Sequence, residues 1–127
     1  MFVACPLALA LVKTADTMTS MGLTDLTHYG TYNCRVISGT STLSQHGLAN
    51  AIDIAGVSTS EGTYYGVFED WEDGVASPVT PAGQSLKTLV ETLHEDKTFN
   101  IILTPEYNAA HDDHFHVDLT PGSDFIE

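Results

Sequence analysis

The sequence predicts an α+β fold, a small antiparallel sheet flanked by helices, in one domain over residues 1–127. Three observations lead to this prediction. A chain of 127 residues is long enough for one hydrophobic core and hardly for two. Two stretches carry apolar residues at helical spacing. Between them lie several short stretches that are β-branched or alternate between polar and apolar residues, as strands do.

The individual elements follow from these patterns. Leucine spacing predicts helices over residues 5–21, ending at Gly22, and over residues 85–96, with Ser85 as N-cap. Strands are predicted over residues 29–37, 49–57, 63–68, 99–103 and 114–119. The acidic run at residues 69–73 and the proline-containing segment after it predict an exposed turn region.

The charge balance excludes several classes of partner. Four Lys and Arg residues face 17 Asp and Glu residues, a net charge of −13. Such a surface cannot neutralise phosphates, so we expect no nucleic-acid partner. No apolar run reaches the roughly 18 residues needed to span a bilayer, so we expect no membrane insertion. A monomer kept soluble in concentrated salt, where carboxylate repulsion is screened, is one interpretation, and an ordinary acidic domain is the other.

The two cysteines and the apolar first twelve residues bear on localisation. A disulfide between Cys5 and Cys34 would close a loop of about thirty residues, contribute roughly 3–4 kcal/mol and indicate an oxidising compartment. Two free buried thiols are the alternative. Residues 1–12 lack a positive charge and contain Pro6, so we interpret them as the entry to the first helix rather than a signal peptide.

The histidines form two clusters that predict a metal site. His46 is followed, seven residues on, by Asp53, a carboxylate inside an apolar strand that is costly to bury unless it is paired or metal-bound. In the second cluster, strand periodicity puts His114 and His116 on one face, about 7 Å apart, with His111 arriving from the preceding loop. Imidazoles with one carboxylate bind catalytic zinc or non-haem iron(II). An outward-facing Asp53 and a chance His-x-His on a surface strand are the alternatives.

Residues from both histidine clusters resemble the motifs of a known family. Residues 44–53, S-Q-H-G-L-A-N-A-I-D, resemble the S-x-H-x-x-G-x-A-x-D pattern of the D-Ala-D-Ala carboxypeptidases and murein endopeptidases, zinc peptidases that share the hedgehog fold. Nearly the whole chain resembles the bacterial extensin-like C-terminal domain. Tyr32, Cys34 and Arg35 match its Y-x-C-R motif, and residues 108–118 match its late N-x-x-H-x-D-H-F-H-x-D motif.

The chain departs from the extensin-like pattern at two points. Gly47 follows His46 where the domain often has Ala, and no further Cys precedes the Phe99 strand. Neither departure touches a residue to which the resemblance gives a metal or catalytic role.

The resemblance implies a hedgehog-like or D-Ala-D-Ala-peptidase-like fold and a role for each clustered residue. His46, Asp53 and His116 would bind zinc. His114 would be the catalytic base or acid, with His111 as its helper. Arg35 would lie near the substrate carboxylate or the developing oxyanion, although an arginine that only pairs with surface acids is an equal alternative.

The function implied is that of an exported, periplasmic or cell-wall-associated zinc metallopeptidase. Its substrate would be an amide bond in peptidoglycan stem peptides or cross-links. Three alternatives remain open at the level of sequence, because a fold does not fix a function. They are a zinc-bound wall-binding module without turnover, an iron(II) oxygenase that uses the same ligand types, and a purely structural acidic domain.

Overall fold

The computed structural model describes residues 3–31, 40 and 45–127, with the backbone alone for residues 45 and 46. It has a mixed α+β architecture. The helices are α1 (Cys5–Ser20), α2 (Val67–Asp70) and α3 (Pro81–Glu95), with short 3₁₀ helices at Gln45–Leu48 and Ala109–His111. The strands are β1 (Leu23–Gly30), β2 (Ala51–Thr59), β3 (Tyr64–Gly66), β4 (Ile101–Leu103), β5 (Phe115–Asp118) and β6 (Phe125–Ile126).

The six strands of the described residues form one sheet, in which β2 and β5 are neighbouring inner strands. The order is β1-β2-β5-β4-β6, and β3 pairs with β2 beyond the end of β5. Every pair is antiparallel except β4 with β6, which run parallel. The predicted antiparallel sheet is therefore correct for β1 to β5 and wrong at β6. The segment after β5 turns back at Gly122, whose φ is +78°, and so brings β6 alongside β4 in the same direction.

The hydrophobic core lies on one face of the sheet, under α1 and α3. Ile52 and Ile54 of β2 and Phe115 and Val117 of β5 point into it and are almost completely buried. The helices contribute a second set of buried side chains: Leu7, Ala10 and Met18 from α1, and Leu86, Leu89, Val90 and Leu93 from α3. Because side chains alternate along a strand, the intervening residues of β2 and β5 face the other side of the sheet. None of the helices in the described part of the chain is long and apolar enough to cross a bilayer.

Both long helices are confirmed, and one boundary is corrected. α1 ends at Ser20 with Met21 as its C-cap, and Gly22 follows with a φ of +74°, a left-handed conformation that glycine adopts without strain. α3 begins at Pro81 rather than after Ser85. Its N-cap is Thr80, whose hydroxyl accepts a hydrogen bond from the Gly83 amide, and Pro81 occupies the first helical position, where no amide hydrogen is needed.

The strand predictions are confirmed in part. The buried strand predicted over residues 49–57 is β2, and the predictions over residues 99–103 and 114–119 contain β4 and β5. The strand predicted over residues 29–37 instead begins at Leu23; its residues 32–37 lie outside the described part of the chain. β1 pairs only with β2 among the described strands. Most of its residues are polar and exposed or half exposed, so the sequence of β1 does not show the alternation of polar and apolar residues that predicts a strand. The strand predicted over residues 63–68 stops at Gly66, whose amide donates to the carboxylate of Asp70, the last residue of α2.

Candidate active site

The pairing of β2 with β5 brings the two histidine clusters of the sequence together. Asp53 is the direct cross-strand partner of His116. Direct partners in an antiparallel pair point to the same face of the sheet, with Cβ atoms about 5 Å apart. Since Ile54 and Phe115, one residue away on each strand, fill the core, Asp53 and His116 must point to the opposite face. The core packing thus fixes the position of both polar side chains.

The His116 imidazole lies between two carboxylates. Its Nδ1 is 3.2 Å from Asp53 Oδ1, and its Nε2 is 2.7 Å from Asp118 Oδ2. Burial alone would lower the pKa of His116, but the hydrogen bonds to Asp118 and Asp53 outweigh it and raise the pKa from 6.5 to about 9. In the metal-free protein at neutral pH, both ring nitrogens therefore carry a proton. The proton on Nδ1 lies between His116 and Asp53, in the position that a cation bound by both side chains would take.

Asp118 is held on its other side by Thr120. Its Oδ1 accepts hydrogen bonds from the Thr120 amide at 2.9 Å and from the Thr120 hydroxyl at 2.7 Å. The residue is only 5% exposed. Burial alone would raise the pKa of Asp118, but the hydrogen bonds from His116 and Thr120 lower it below its ordinary value. Asp118 is thus an ionised carboxylate at neutral pH, with both oxygens engaged.

His114 lies beside the Asp53–His116 pair and is oriented by a neighbour in sequence. Its Nδ1 is 2.7 Å from Asp113 Oδ1, and its Nε2 is 3.8 Å from Asp53 Oδ1. A carboxylate accepts hydrogen bonds, so Asp113 places the ring proton on Nδ1 and leaves the lone pair of the neutral ring on Nε2, toward Asp53. The Tyr29 ring, at the end of β1, contacts His114 edge-on with a centroid separation of 6.1 Å. This is the geometry of a general base with an orienting acid.

His111 completes the histidine cluster from the 3₁₀ helix. Its Nδ1 lies 2.7 Å from Asn108 Oδ1, and its ring centroid lies 5.1 Å from that of His114 and 6.2 Å from that of His116. The Tyr107 ring packs edge-on against it at 5.4 Å. The structure therefore brings Asp53, His111, His114 and His116 together, as the two sequence clusters predict.

Three predicted residues lie partly or wholly outside the described structure. Arg35 and Cys34 belong to residues that the structure does not describe, and of His46 only the backbone is described, in the 3₁₀ helix that leads into β2. Within the described ranges, no three His, Cys, Asp or Glu side chains form a group that could hold a metal ion. Cys5 is a free, exposed cysteine, so the structure does not support the predicted disulfide.

Ala49, between the His46 helix and β2, has an unusual backbone conformation. Its φ is +56°, in the left-handed region that disfavours residues with a Cβ atom, and its side chain is buried. The peptidase pattern that residues 44–53 resemble has glycine at this position, so the chain departs from that pattern at Ala49.

A protein-family model shows the family of this chain. The model of the extensin-like protein C-terminus matches residues 3–125. The chain belongs to this family. The match begins before α1 and ends at the first residue of β6, Phe125. Neither the curated proteins nor the solved structures contain a match.

Sequence reasoning missed three polar residues of this extensin-like domain that contact the histidines. Asp113 and Asn108 each hold one ring nitrogen of the histidine cluster, and Asp118 holds the remaining nitrogen of His116. For Asp118 a signal was present, because strand alternation puts residues 116 and 118 on one face. For Asp113 and Asn108, the loop before β5 has no periodicity from which side-chain direction could be predicted.

Proposed function

We propose that this extensin-like domain is a zinc-dependent hydrolase that cleaves an amide bond in peptidoglycan stem peptides or cross-links. The observation that carries the proposal is the adjacency of two pairs: Asp53 with His116, suited to a cation, and Asp113 with His114, suited to proton transfer. The Nε2 atom of His114 is 3.8 Å from Asp53 Oδ1. A water molecule bound beside Asp53 is therefore within hydrogen-bond reach of the base.

The Asp53–His116 pair fits the ligand spacing of zinc. Zinc binds nitrogen and oxygen ligands at about 2.0–2.1 Å in a tetrahedral arrangement, which separates two ligand atoms by about 3.3 Å. The distance between His116 Nδ1 and Asp53 Oδ1 is 3.2 Å. His46 is the third proposed ligand, from the 3₁₀ helix that precedes β2. Three protein ligands leave a position for water, as in catalytic rather than structural zinc sites.

The residues around this pair have separate roles in amide hydrolysis. Zinc held by them would lower the pKa of a bound water to about 7 and polarise the scissile carbonyl. His114 Nε2 accepts the proton of the attacking water and returns it to the leaving amine. Asp113 holds the ring in the tautomer needed for both transfers and stabilises the imidazolium that forms between them.

Two residues are proposed to stabilise the negative charge that develops on the carbonyl oxygen. Arg35 takes this role from its position in the family motif. His111 lies beside His114 and is held by Asn108, so it supports the base, and in its imidazolium form it adds a donor to the site. In a domain with a net charge of −13, such donors also reduce the repulsion between the acidic surface and an anionic substrate.

The choice of substrate and localisation rests on the resemblance to zinc peptidases of the bacterial wall. A peptidoglycan substrate implies an exported protein, in the periplasm or associated with the wall. The strongly acidic surface supports a partner other than nucleic acid. We propose that the domain acts as a monomer on this polymer.

Digestion of purified sacculi, with mass spectrometry of the soluble products, tests the proposal. The zinc-loaded protein should release peptide-containing fragments, and His114→Ala should reduce the rate by about 10²–10⁴-fold. His94→Ala is the matched control, because His94 lies on α3, across the sheet from the site. Intact sacculi that sediment together with the zinc-loaded protein would contradict the hydrolase and indicate a wall-binding module.

A further inference from the structure

We propose that Asp118 is a positioning residue that fixes the ring orientation and tautomer of His116, so that its Nδ1 faces Asp53 with a lone pair available for a metal ion. The role of the metal rests on the proposed function. The orientation and the tautomer rest on the contacts that Asp118 and Asp53 make with His116, and both can be measured without metal.

The first step is that the Asp118 carboxylate cannot turn. Its Oδ1 accepts from both the amide and the hydroxyl of Thr120, at 2.9 and 2.7 Å. The residue is paired in the sheet with Ala51 on one side and Ile101 on the other, and it is almost completely buried. Its second oxygen, Oδ2, is therefore fixed, and it is directed at Nε2 of His116 from 2.7 Å.

The second step concerns the proton on His116. A neutral imidazole carries one proton, on either nitrogen, and the partner of one nitrogen decides the state of the other. The Asp53 and Asp118 carboxylates can both only accept, but the Asp118 contact is the shorter, 2.7 Å against 3.2 Å, so the single proton of the neutral ring is on Nε2. Nδ1 then has the lone pair, and it is the nitrogen 3.2 Å from Asp53 Oδ1. Hydrogen bonding of the second nitrogen to a carboxylate is the arrangement that orients metal-binding histidines in general.

The third step is that asparagine at position 118 should reverse this tautomer. The Thr120 amide can only donate, so the side-chain carbonyl of an asparagine must take the place of Oδ1. The amide NH₂ group then faces His116 Nε2 and donates to it, which forces the proton of the neutral ring onto Nδ1. An N–H group on Nδ1 cannot ligate a metal. Asp118→Asn should therefore weaken metal binding more than Asp118→Ala, because without a side-chain partner at position 118 either nitrogen of His116 can carry the proton.

Zinc affinity measured by competition with a chromophoric chelator tests this order. Asp118→Ala should weaken zinc binding by about 10–100-fold, as is usual for the loss of a carboxylate behind a histidine ligand, and Asp118→Asn should weaken it further. Asp124→Asn is the matched control, because the Asp124 side chain is half exposed and its Oδ1 contacts Nε2 of His94, on α3, at 2.9 Å. Its zinc affinity should equal that of the wild type. An Asn variant that binds zinc as well as or better than the Ala variant would overturn the proposal and indicate a packing role.

Nitrogen NMR of His116 in the metal-free wild type provides a second measurement. It can be made even if the variants do not fold or the protein does not bind zinc. The spectrum is recorded above the pKa of about 9, where the ring is neutral. The proton should be on Nε2 in the wild type and, where Asp118→Asn folds, on Nδ1 in that variant. A wild-type ring protonated on Nδ1 would overturn the proposal. A wild-type protein that binds no zinc but has the Nε2–H ring would contradict the proposed function and leave the positioning role supported.

Discussion

The stability of the metal-free protein should fall as pH rises from about 6 to about 10, because the His116 proton stabilises the folded state. The folded-state pKa of about 9 lies above the value of 6.5 for an unperturbed histidine. Below pH 6.5 both the folded and the unfolded chain carry this proton, and the stabilisation is complete. It is lost as pH rises through 6.5 and toward 9, where the folded protein keeps a proton that the unfolded chain has released.

The magnitude follows from the two pKa values. At about 1.4 kcal/mol per pH unit, a rise from 6.5 to about 9 corresponds to about 3 kcal/mol of unfolding free energy. The side chain of His116 is only 12% exposed, so solvent screens the interaction little. A loss of this size is a large fraction of the total stability of a domain, which is typically 5–15 kcal/mol.

Urea denaturation in the presence of a chelator, repeated across this pH range at constant ionic strength, measures the effect. His116→Gln is the control, because glutamine can still donate to Asp118 but does not titrate. The variant should show a much smaller decline between pH 6 and 10. A flat wild-type curve would refute the reasoning, and so would a decline that His116→Gln leaves unchanged, since either result means that the two carboxylates do not stabilise a charged His116.

Three further predictions concern the rest of the domain. The free energy of unfolding should rise between about 0.1 and 2 M sodium chloride, because salt screens the repulsion within a net charge of −13; a constant value would contradict this. Ala49→Gly should change the free energy of unfolding by less than about 1 kcal/mol, because relief of the left-handed strain offsets the lost methyl group and the added chain entropy. Ala51→Gly in β2, where no such strain is relieved, should cost about 1–2 kcal/mol in the same urea denaturation. Equal losses in the two variants would refute the strain at Ala49. Thr80→Ala should cost about 1 kcal/mol of thermal stability through the α3 cap, and an unchanged melting temperature would contradict that role.

The sequence predicted those parts of the site that depend on strand periodicity. Asp53 was expected to need a partner because its neighbours in the sequence are apolar, and it has one in His116. The alternation of His116 with Phe115 and Val117 predicted which side chains leave the core. What periodicity could not supply is the register between β2 and β5, which brings Asp53 opposite His116 rather than Asp118. Register depends on how two distant segments pack and not on either one alone.

The parts that sequence reasoning missed are local conformations without a repeating pattern. The true start of α3 depends on Thr80 and Pro81, and the leucine pattern that predicted the helix begins only with Leu86. The left-handed Ala49 contradicts the preference of its own residue type, because the surrounding turn imposes the conformation. Asp113 and Asn108 lie before β5, where each side-chain direction is set by one hydrogen bond to a histidine.

The zinc content of untagged wild-type protein, His114→Ala and His116→Ala, measured by elemental analysis, tests the central claim most directly. The claim is that neighbouring histidines have different roles, with His116 as a ligand beside Asp53 and His114 as the base held by Asp113. It predicts one zinc per chain in the wild type and in His114→Ala, and little or none in His116→Ala. Zinc lost from His114→Ala but retained by His116→Ala would reverse the assignment, and a wild-type protein without zinc would contradict the account.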